Sequence, residues 1–191
     1  MSVDEIMAAI IKDRVFYETS GGGVTFSGGE PLLHSAILHH VSARCRILNI
    51  DTCIDTCLAV PRENIAEIVN DTGLFLVDVK HATNPEVLPD TVFSNLGYLS
   101  GKSRIWIRLP VIPGWNDSAE AIVAIINRLF LCKTAIEKVC LLPFHNTAGA
   151  KYRYLNRDWK EYEAQELVPD RRMEYYRALF QEAGFNVTIG G

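Results

Sequence analysis

Several features that define other classes of protein are missing from this sequence of 191 residues. No apolar run approaches the roughly 20 residues of a membrane span, and the first residues lack the basic and apolar regions of a signal peptide. Basic residues are not in excess either, because 19 Lys and Arg stand against 23 Asp and Glu. A nucleic-acid-binding face needs such an excess. We therefore expect a cytoplasmic protein that binds neither membrane nor nucleic acid.

The cysteines form no metal-binding or disulfide framework. There are five, an odd count that suits a reducing compartment. Cys53 and Cys57 have Cys-x3-Cys spacing, but Val60 stands where a third cysteine would complete an iron–sulfur pattern. The others, Cys45, Cys132 and Cys140, are spaced like core residues. We interpret all five as structural or incidental and expect no iron–sulfur or zinc site within this chain.

Strand and helix patterns alternate along most of the chain. Strands are predicted at residues 24–27, 47–55, 74–80, 105–111, 139–142 and 186–189. Helices are predicted from a capping box at Ser2–Glu5, and at 33–44, 61–71, 119–131 and 171–183, with Gly73 and Gly184 as C-terminal caps of the third and last. Polar segments 80–104 and 144–169 are predicted as long loops. This order predicts an α/β fold in one domain, residues 1–191, with a mainly parallel sheet as an open sheet or partial barrel.

Polar residues collect where the predicted strands end. Gly28, Gly29 and Glu30 follow the first strand, Asp55 ends the second, and Asp78 and Lys80 end the third. Arg108 lies in the fourth strand, and His145 follows the fifth. The carboxyl ends of parallel strands are where α/β folds build their sites. Their convergence predicts a binding site for a small polar ligand.

Each of these residues taken alone has a plainer interpretation. Asp78 and Lys80, two positions apart, share the face of Leu74 and Leu76 and could form a structural ion pair on a buried face. Arg108 could extend to solvent, and His145 could be an ordinary loop histidine. The glycine-rich turn could be only a tight connection.

Several motifs together resemble the radical S-adenosylmethionine (radical SAM) family, and within it the activating enzymes of glycyl radical enzymes, such as pyruvate formate-lyase activase. The motifs are Ser-Gly-Gly-Glu-Pro at 27–31, Ile-Asp-Thr at 54–56, Asp-Val-Lys-His at 78–81, Ile-Arg-Leu-Pro-Val-Ile-Pro-Gly-Trp-Asn-Asp at 107–117, Leu-Leu-Pro-Phe-His at 141–145 and Lys-Tyr at 151–152. Their order and spacing are specific, and the resemblance runs from Val3 to the C-terminus. It implies a partial, open TIM-like (β/α) barrel.

The resemblance also implies a role for each residue in binding S-adenosyl-L-methionine (SAM). Gly28, Gly29 and Glu30 would hold the methionyl amino group through backbone carbonyl and carboxylate oxygens. Asp55 and Asp78 would lie near the methionyl end, with a monovalent cation shared with the SAM carboxylate. Three basic side chains complete the implied pocket: Lys80, Arg108 and His145.

In that family a [4Fe–4S] cluster cleaves SAM to a 5′-deoxyadenosyl radical, which leaves a glycyl radical on a partner enzyme such as pyruvate formate-lyase. Flavodoxin or ferredoxin would donate the electron in an anaerobic cytoplasm. The family's Cys-x3-Cys-x2-Cys motif is absent here, which predicts a fragment that lacks the first barrel strand, is inactive alone, and belongs to a longer protein that holds the cluster. Leu58 also departs from the family, which has glycine at that position.

Two other functions fit the sequence. Lys80 beside Asp78 could form a Schiff base in an aldolase-type barrel if burial lowered its pKa. The chain could also be a non-catalytic module that binds SAM or docks a partner.

Overall fold

Six parallel strands form one sheet in the part of the chain that the structure describes. The computed structural model describes residues 1–80, 89–145 and 167–190. The strands are β1 (Gly23–Phe26), β2 (Asp51–Thr56), β3 (Leu74–Asp78), β4 (Arg104–Val111), β5 (Ile136–Pro143) and β6 (Val187–Ile189). They pair in sequence order, β1-β2-β3-β4-β5-β6, in one open sheet. The predicted α/β fold, a partial and open (β/α) barrel, is confirmed.

Helices connect the strands because parallel neighbours require a crossover. In the described ranges the α-helices are α1 (Val3–Lys12), α2 (Arg14–Ser20), α3 (Ser35–Ile47), α4 (Arg62–Ile68), α5 (Asp90–Leu99), α6 (Ala119–Phe130) and α7 (Asp170–Glu182). Short 3₁₀ helices lie at Pro31–His34, Val69–Asp71 and Lys133–Ala135. The predicted capping box at the start of α1 is confirmed: the Glu5 amide donates to Ser2 Oγ and the Ser2 amide donates to Glu5 Oε2. Over these ranges no helix is long and apolar enough to cross a bilayer.

The two faces of the sheet differ in burial. On β3, Phe75 and Val77 are fully buried under the helices, and so is Val79 just beyond the strand. Asp78 and Lys80 alternate with them and lie on the opposite, half-exposed face. The prediction that this acid and base occupy a buried face is therefore wrong, because the helices cover only the face that carries Phe75 and Val77. The cleft described below is lined by residues of this half-exposed face.

Three predicted local features are corrected by the structure. The segment 80–104, predicted as a loop, contains α5, whose Val92, Leu96 and Leu99 are buried at helical spacing. Gly73 does not cap a helix in the left-handed conformation; a Cβ there would lie 2.0 Å from Asp51 Oδ1, so close packing requires the glycine. Strand β2 begins at Asp51 rather than 47, because α3 continues to Ile47. Most of the predicted loop 144–169 lies outside the described residues.

Candidate functional site

A cleft of about 270 Å³ opens at the carboxyl ends of β1, β2 and β3. Six of the eight residues predicted from the sequence line it: Gly28, Gly29, Glu30, Asp55, Asp78 and Lys80. Ser27, Thr56 and Cys57 complete the lining. The strand register brings these residues together, because β1, β2 and β3 are adjacent and end at the same edge. The predicted convergence of strand ends is therefore present in the structure.

The glycine turn after β1 leaves open space in front of its backbone. Gly28 has φ +136°, a conformation that residues with a Cβ rarely adopt. A Cβ built on Gly28 or Gly29 would meet no atom within 4 Å. The peptide groups of this turn are thus accessible to a ligand in the cleft, which is what a cradle for a small polar group requires.

Glu30 is engaged with the protein at both carboxylate oxygens. Oε1 accepts from the Leu32 amide at 3.1 Å and from the Thr56 hydroxyl at 2.7 Å. Oε2 accepts from the Cys57 amide at 2.9 Å and lies 3.1 Å from Cys57 Sγ. A carboxylate offers about four acceptor positions, and all four are filled by the protein. Glu30 joins the turn after β1 to the end of β2.

The end of β2 is held in an unusual backbone conformation. Leu58 has φ +56° although it is fully buried, and the left-handed region costs a non-glycine residue roughly 1–2 kcal/mol. Its amide donates to Thr56 Oγ1 at 2.9 Å, and its carbonyl accepts from Asn95 Nδ2 at 3.0 Å. These contacts explain how leucine takes a backbone geometry that suits glycine.

The pKa of the Cys57 thiol in this segment is raised above its ordinary value. Burial raises the pKa of Cys57, and the hydrogen bond to Glu30 together with the negative charge of that carboxylate raises it further. The cysteine spacing predicts a structural or incidental role for Cys57, and the structure places this residue in the lining of the cleft. Its Cys-x3-Cys spacing gave no sign of the contact with Glu30, which lies 27 positions earlier.

A row of four charged side chains crosses the cleft. Arg108 Nη1 lies 2.9 Å from Asp55 Oδ2, and Arg108 Nε lies 3.1 Å from Asp78 Oδ1. Lys80 Nζ lies 3.5 Å from the other oxygen of Asp78. Ser27 Oγ also donates to Asp55 Oδ2, at 3.2 Å. The row alternates in sign, so its two acids and two bases neutralise one another.

The contact in the middle of this row is not a complete hydrogen bond. Asp78 Oδ1 and Arg108 Nε are both out of solvent, and neither makes a hydrogen bond of acceptable geometry within the described ranges. Their closeness arises from the register, which sets Asp78 directly opposite Arg108 on β4. The two atoms therefore form an ion pair at 3.1 Å rather than a well-directed hydrogen bond.

Two predicted residues lie apart from the lining. Arg108 contacts the cleft through Asp55 and Asp78 rather than lining it. His145 follows β5 and is exposed, and it is not among the cleft-lining residues. Its predicted role stays a prediction. The Lys151–Tyr152 element lies outside the described residues.

Solved structures define the class of this fold. A radical SAM methyltransferase from Sphaerobacter thermophilus superposes with a TM-score of 0.70 over 99% of this chain and 57% of its own, at 13% identity. This likeness concerns the fold alone. A domain of pyruvate-formate lyase-activating enzyme from Bacteroides vulgatus superposes with a TM-score of 0.74 at 25% identity, over 89% of this chain and 99% of that domain. The fold is the partial barrel of radical SAM proteins.

The relatives of this chain in sequence are activating enzymes. The 4-hydroxyphenylacetate decarboxylase activating enzyme of Clostridioides difficile is 34% identical over 99% of this chain and 61% of its own length. The homologues of this chain are thus activating enzymes of glycyl radical enzymes. The chain spans about three-fifths of the length of that relative. No protein-family model matches the sequence.

Proposed function

We propose that this chain is the SAM-binding barrel of an activating enzyme for a glycyl radical enzyme. The observation that carries the proposal is the cleft itself, in which an open glycine turn faces a row of alternating charges. SAM carries an ammonium and a carboxylate on its methionyl part. Acceptors on one side and bases on the other are the groups that recognise such a zwitterion.

The residues fit the methionyl part of SAM in a specific arrangement. The backbone carbonyls of the Gly28–Gly29 turn would accept hydrogen bonds from the ammonium. Lys80 and His145 would contact the carboxylate, with Arg108 facing the same pocket. Asp55 and Asp78 would lie near the methionyl end, where they could share a monovalent cation with the SAM carboxylate. Because the Glu30 carboxylate is occupied by protein donors, its part is to hold the turn in place.

The radical chemistry requires a [4Fe–4S] cluster in addition to the side chains of the described residues. When bound, SAM and a reduced [4Fe–4S] cluster supply the chemistry that leaves a glycyl radical on a partner enzyme. Over the described ranges, no three His, Cys, Asp or Glu side chains are grouped as metal ligands, so the residues here do not fit the cluster. We propose that the cluster belongs to a longer protein and that this chain alone generates no radical.

The partner and the electron donor are part of the same proposal. The partner would be a glycyl radical enzyme. Pyruvate formate-lyase and an aryl decarboxylase are both candidates, because the names of two similar proteins describe them as activating enzymes for these two partners. A flavodoxin or a ferredoxin would supply the electron in an anaerobic cytoplasm. Reductant-dependent formation of 5′-deoxyadenosine by a full-length form, reconstituted with iron and sulfide, tests this part.

Binding of SAM to the present chain tests the cleft directly by isothermal titration calorimetry. We expect Lys80→Met and Asp78→Asn to weaken SAM binding by roughly tenfold or more, because a hydrogen bond to a charged group contributes about 1.5–3 kcal/mol. Thr52→Val is the matched control, since Thr52 Oγ1 donates to the Asp71 carbonyl and does not line the cleft. Equal affinity in all four proteins, or no binding by the parent chain, would contradict the proposed site.

A Schiff-base function for Lys80 has less support. Such a lysine must be desolvated and free to lose its proton. The Lys80 side chain is 42% exposed and lies 3.5 Å from the Asp78 carboxylate. Borohydride trapping with a carbonyl substrate would reveal an adduct on Lys80 only if this alternative held. A non-catalytic SAM-binding module would bind SAM here and stay inactive when reconstituted at full length.

A further inference from the structure

The turn after β4 contains a fully buried asparagine that contacts the end of β3. Asn116 has no solvent exposure. Its Nδ2 donates to the Lys80 carbonyl at 2.7 Å and to the Pro110 carbonyl at 2.7 Å. Its Oδ1 accepts from the Ile112 amide, also at 2.7 Å. One side chain therefore joins the ends of two neighbouring strands.

The geometry fixes the orientation of this amide. Two carbonyl oxygens need two donors, and one amide N–H needs an acceptor. Only the orientation with Nδ2 toward the carbonyls satisfies all three. Both amide hydrogens are used, and each partner is a backbone group. Asn116 is thus a fully satisfied buried polar group, the kind that specifies one local structure.

Lys80 depends on this contact because the regular ladder ends before it. The Val79 amide donates to the Arg108 carbonyl at 2.9 Å, and this bond is the last backbone hydrogen bond between these two strands in the described residues. Strand β3 itself ends at Asp78. The Asn116 bond to the Lys80 carbonyl therefore extends the connection to β4 by one residue. That residue carries the ammonium that lies beside Asp78 in the cleft.

The turn that carries Asn116 is itself anchored. Asp117 accepts from the Gly114 amide and from Arg172 Nη1, at 2.7 and 2.6 Å. The Tyr176 hydroxyl donates to the Asp117 carbonyl. Since Arg172 and Tyr176 belong to α7, the asparagine projects from a turn fixed to a helix, so its position is constrained from both sides.

We propose that Asn116 is a positioning residue that sets Lys80 in the SAM cleft. That SAM is the ligand rests on the proposed function, whereas the hydrogen bond from Asn116 to the Lys80 carbonyl does not depend on it. Asn116 acts through the Lys80 backbone and not on the ligand itself. Its loss should weaken SAM binding only as far as Lys80 contributes to that binding.

A double-mutant cycle on SAM affinity tests this coupling. We expect Asn116→Ala to weaken SAM binding by about tenfold in the parent background, and by less than about twofold in a Lys80→Met background. The matched control is Asn95→Ala. Asn95 is also buried, and its Nδ2 donates to two carbonyls, of Leu58 and Val60 rather than of Lys80. The effect of Asn95→Ala on SAM affinity should be the same in both backgrounds.

A second measurement is independent of SAM. With ¹³C-labelled lysine, the Cε–Hε NMR signal of Lys80, assigned through Lys80→Met, should shift in Asn116→Ala and stay in place in Asn95→Ala. If Asn116→Ala fails to fold, Asn116→Ser, whose hydroxyl can donate to one carbonyl, replaces it. An equal effect of the Asn116 substitution on SAM affinity in both Lys80 backgrounds, or an unchanged Lys80 signal, would overturn the proposal. If the parent chain binds no SAM, the proposed function fails and the NMR signal alone decides this inference.

Discussion

The substitution Glu30→Gln probes how the cleft is assembled. The carboxylate of Glu30 accepts from two amides, one hydroxyl and one thiol, and three of these four donors belong to Thr56 and Cys57 at the end of β2. Glutamine keeps the shape of the side chain but replaces one acceptor oxygen by an NH₂ group. Oriented to keep the Leu32 and Thr56 bonds, that group faces the Cys57 amide, donor against donor.

The expected loss of stability follows from these contacts. A half-buried amide left without an acceptor costs about 1–3 kcal/mol. The two remaining bonds to Oε1 change from charge-assisted to neutral, which weakens each by roughly half. We therefore expect Glu30→Gln to lower the free energy of unfolding by about 2–4 kcal/mol. Urea unfolding measures this loss of free energy. An unchanged slope of the unfolding free energy against urea concentration shows that the parent and the variant expose the same surface on unfolding.

An exposed glutamate gives the control. Glu67 lies exposed on α4, and Glu67→Gln should change the free energy of unfolding by no more than about 0.5 kcal/mol. The Cys57 thiol adds a second readout, because Glu30 helps to raise its pKa. Alkylation of Cys57 at pH 8 should be faster in Glu30→Gln. A loss below about 1 kcal/mol together with unchanged alkylation would refute the reasoning that Glu30 holds this loop.

Three further predictions concern β2 and the residues on either side of it. Burial raises the pKa of Cys53 from 9.0 to about 11, so the unfolded chain ionises first and the stabilisation present below pH 9 is lost as pH rises toward 11. The free energy of unfolding should therefore fall between pH 8.5 and 10.5, and this thiol contributes at most about 2–3 kcal/mol of that fall. The fall should be smaller in Cys53→Ala than in the parent chain. An equal fall in both proteins would contradict the assignment of this pH dependence to the buried Cys53 thiol. Leu58→Gly relieves a left-handed backbone but removes a fully buried side chain, so we expect a net loss of about 2–4 kcal/mol. Asn49 has φ +55° and is exposed, so Asn49→Gly should cost nothing in the same urea assay.

The sequence predicted where the site lies better than how it is built. The positions of Glu30, Asp55 and Asp78 follow from strand ends, and strand ends are local features of a sequence. The pairing of these side chains is not local. Glu30 bonds to Cys57 across 27 positions, and Arg108 bonds to Asp55 across 53. A periodic pattern gives the face of a residue but not its partner on another strand, so these contacts could only be seen in three dimensions.

The missed helix α5 has a similar physical cause. The polar residues and prolines of segment 80–104 predict a loop. Yet Val92, Leu96 and Leu99 are fully buried, and their spacing is helical. Pro89 is the N-cap residue, just before the first helical residue, where the missing N–H of proline breaks no hydrogen bond inside the helix. The flanking residues predict a loop, whereas the spacing of the apolar residues predicts a helix. The helix forms because burial of an apolar face contributes more to helix stability than the flanking composition does.

The charges of the cleft bear on the class of ligand that it suits. Asp55, Arg108, Asp78 and Lys80 form a row with two negative and two positive charges, whose sum is zero. Such a row has no net attraction for a simple anion or a simple cation. A zwitterion, however, can place its ammonium toward the acids and its carboxylate toward the bases without changing the total charge. This favours an amino-acid-like group, such as the methionyl part of SAM, over a phosphate or a simple carboxylate.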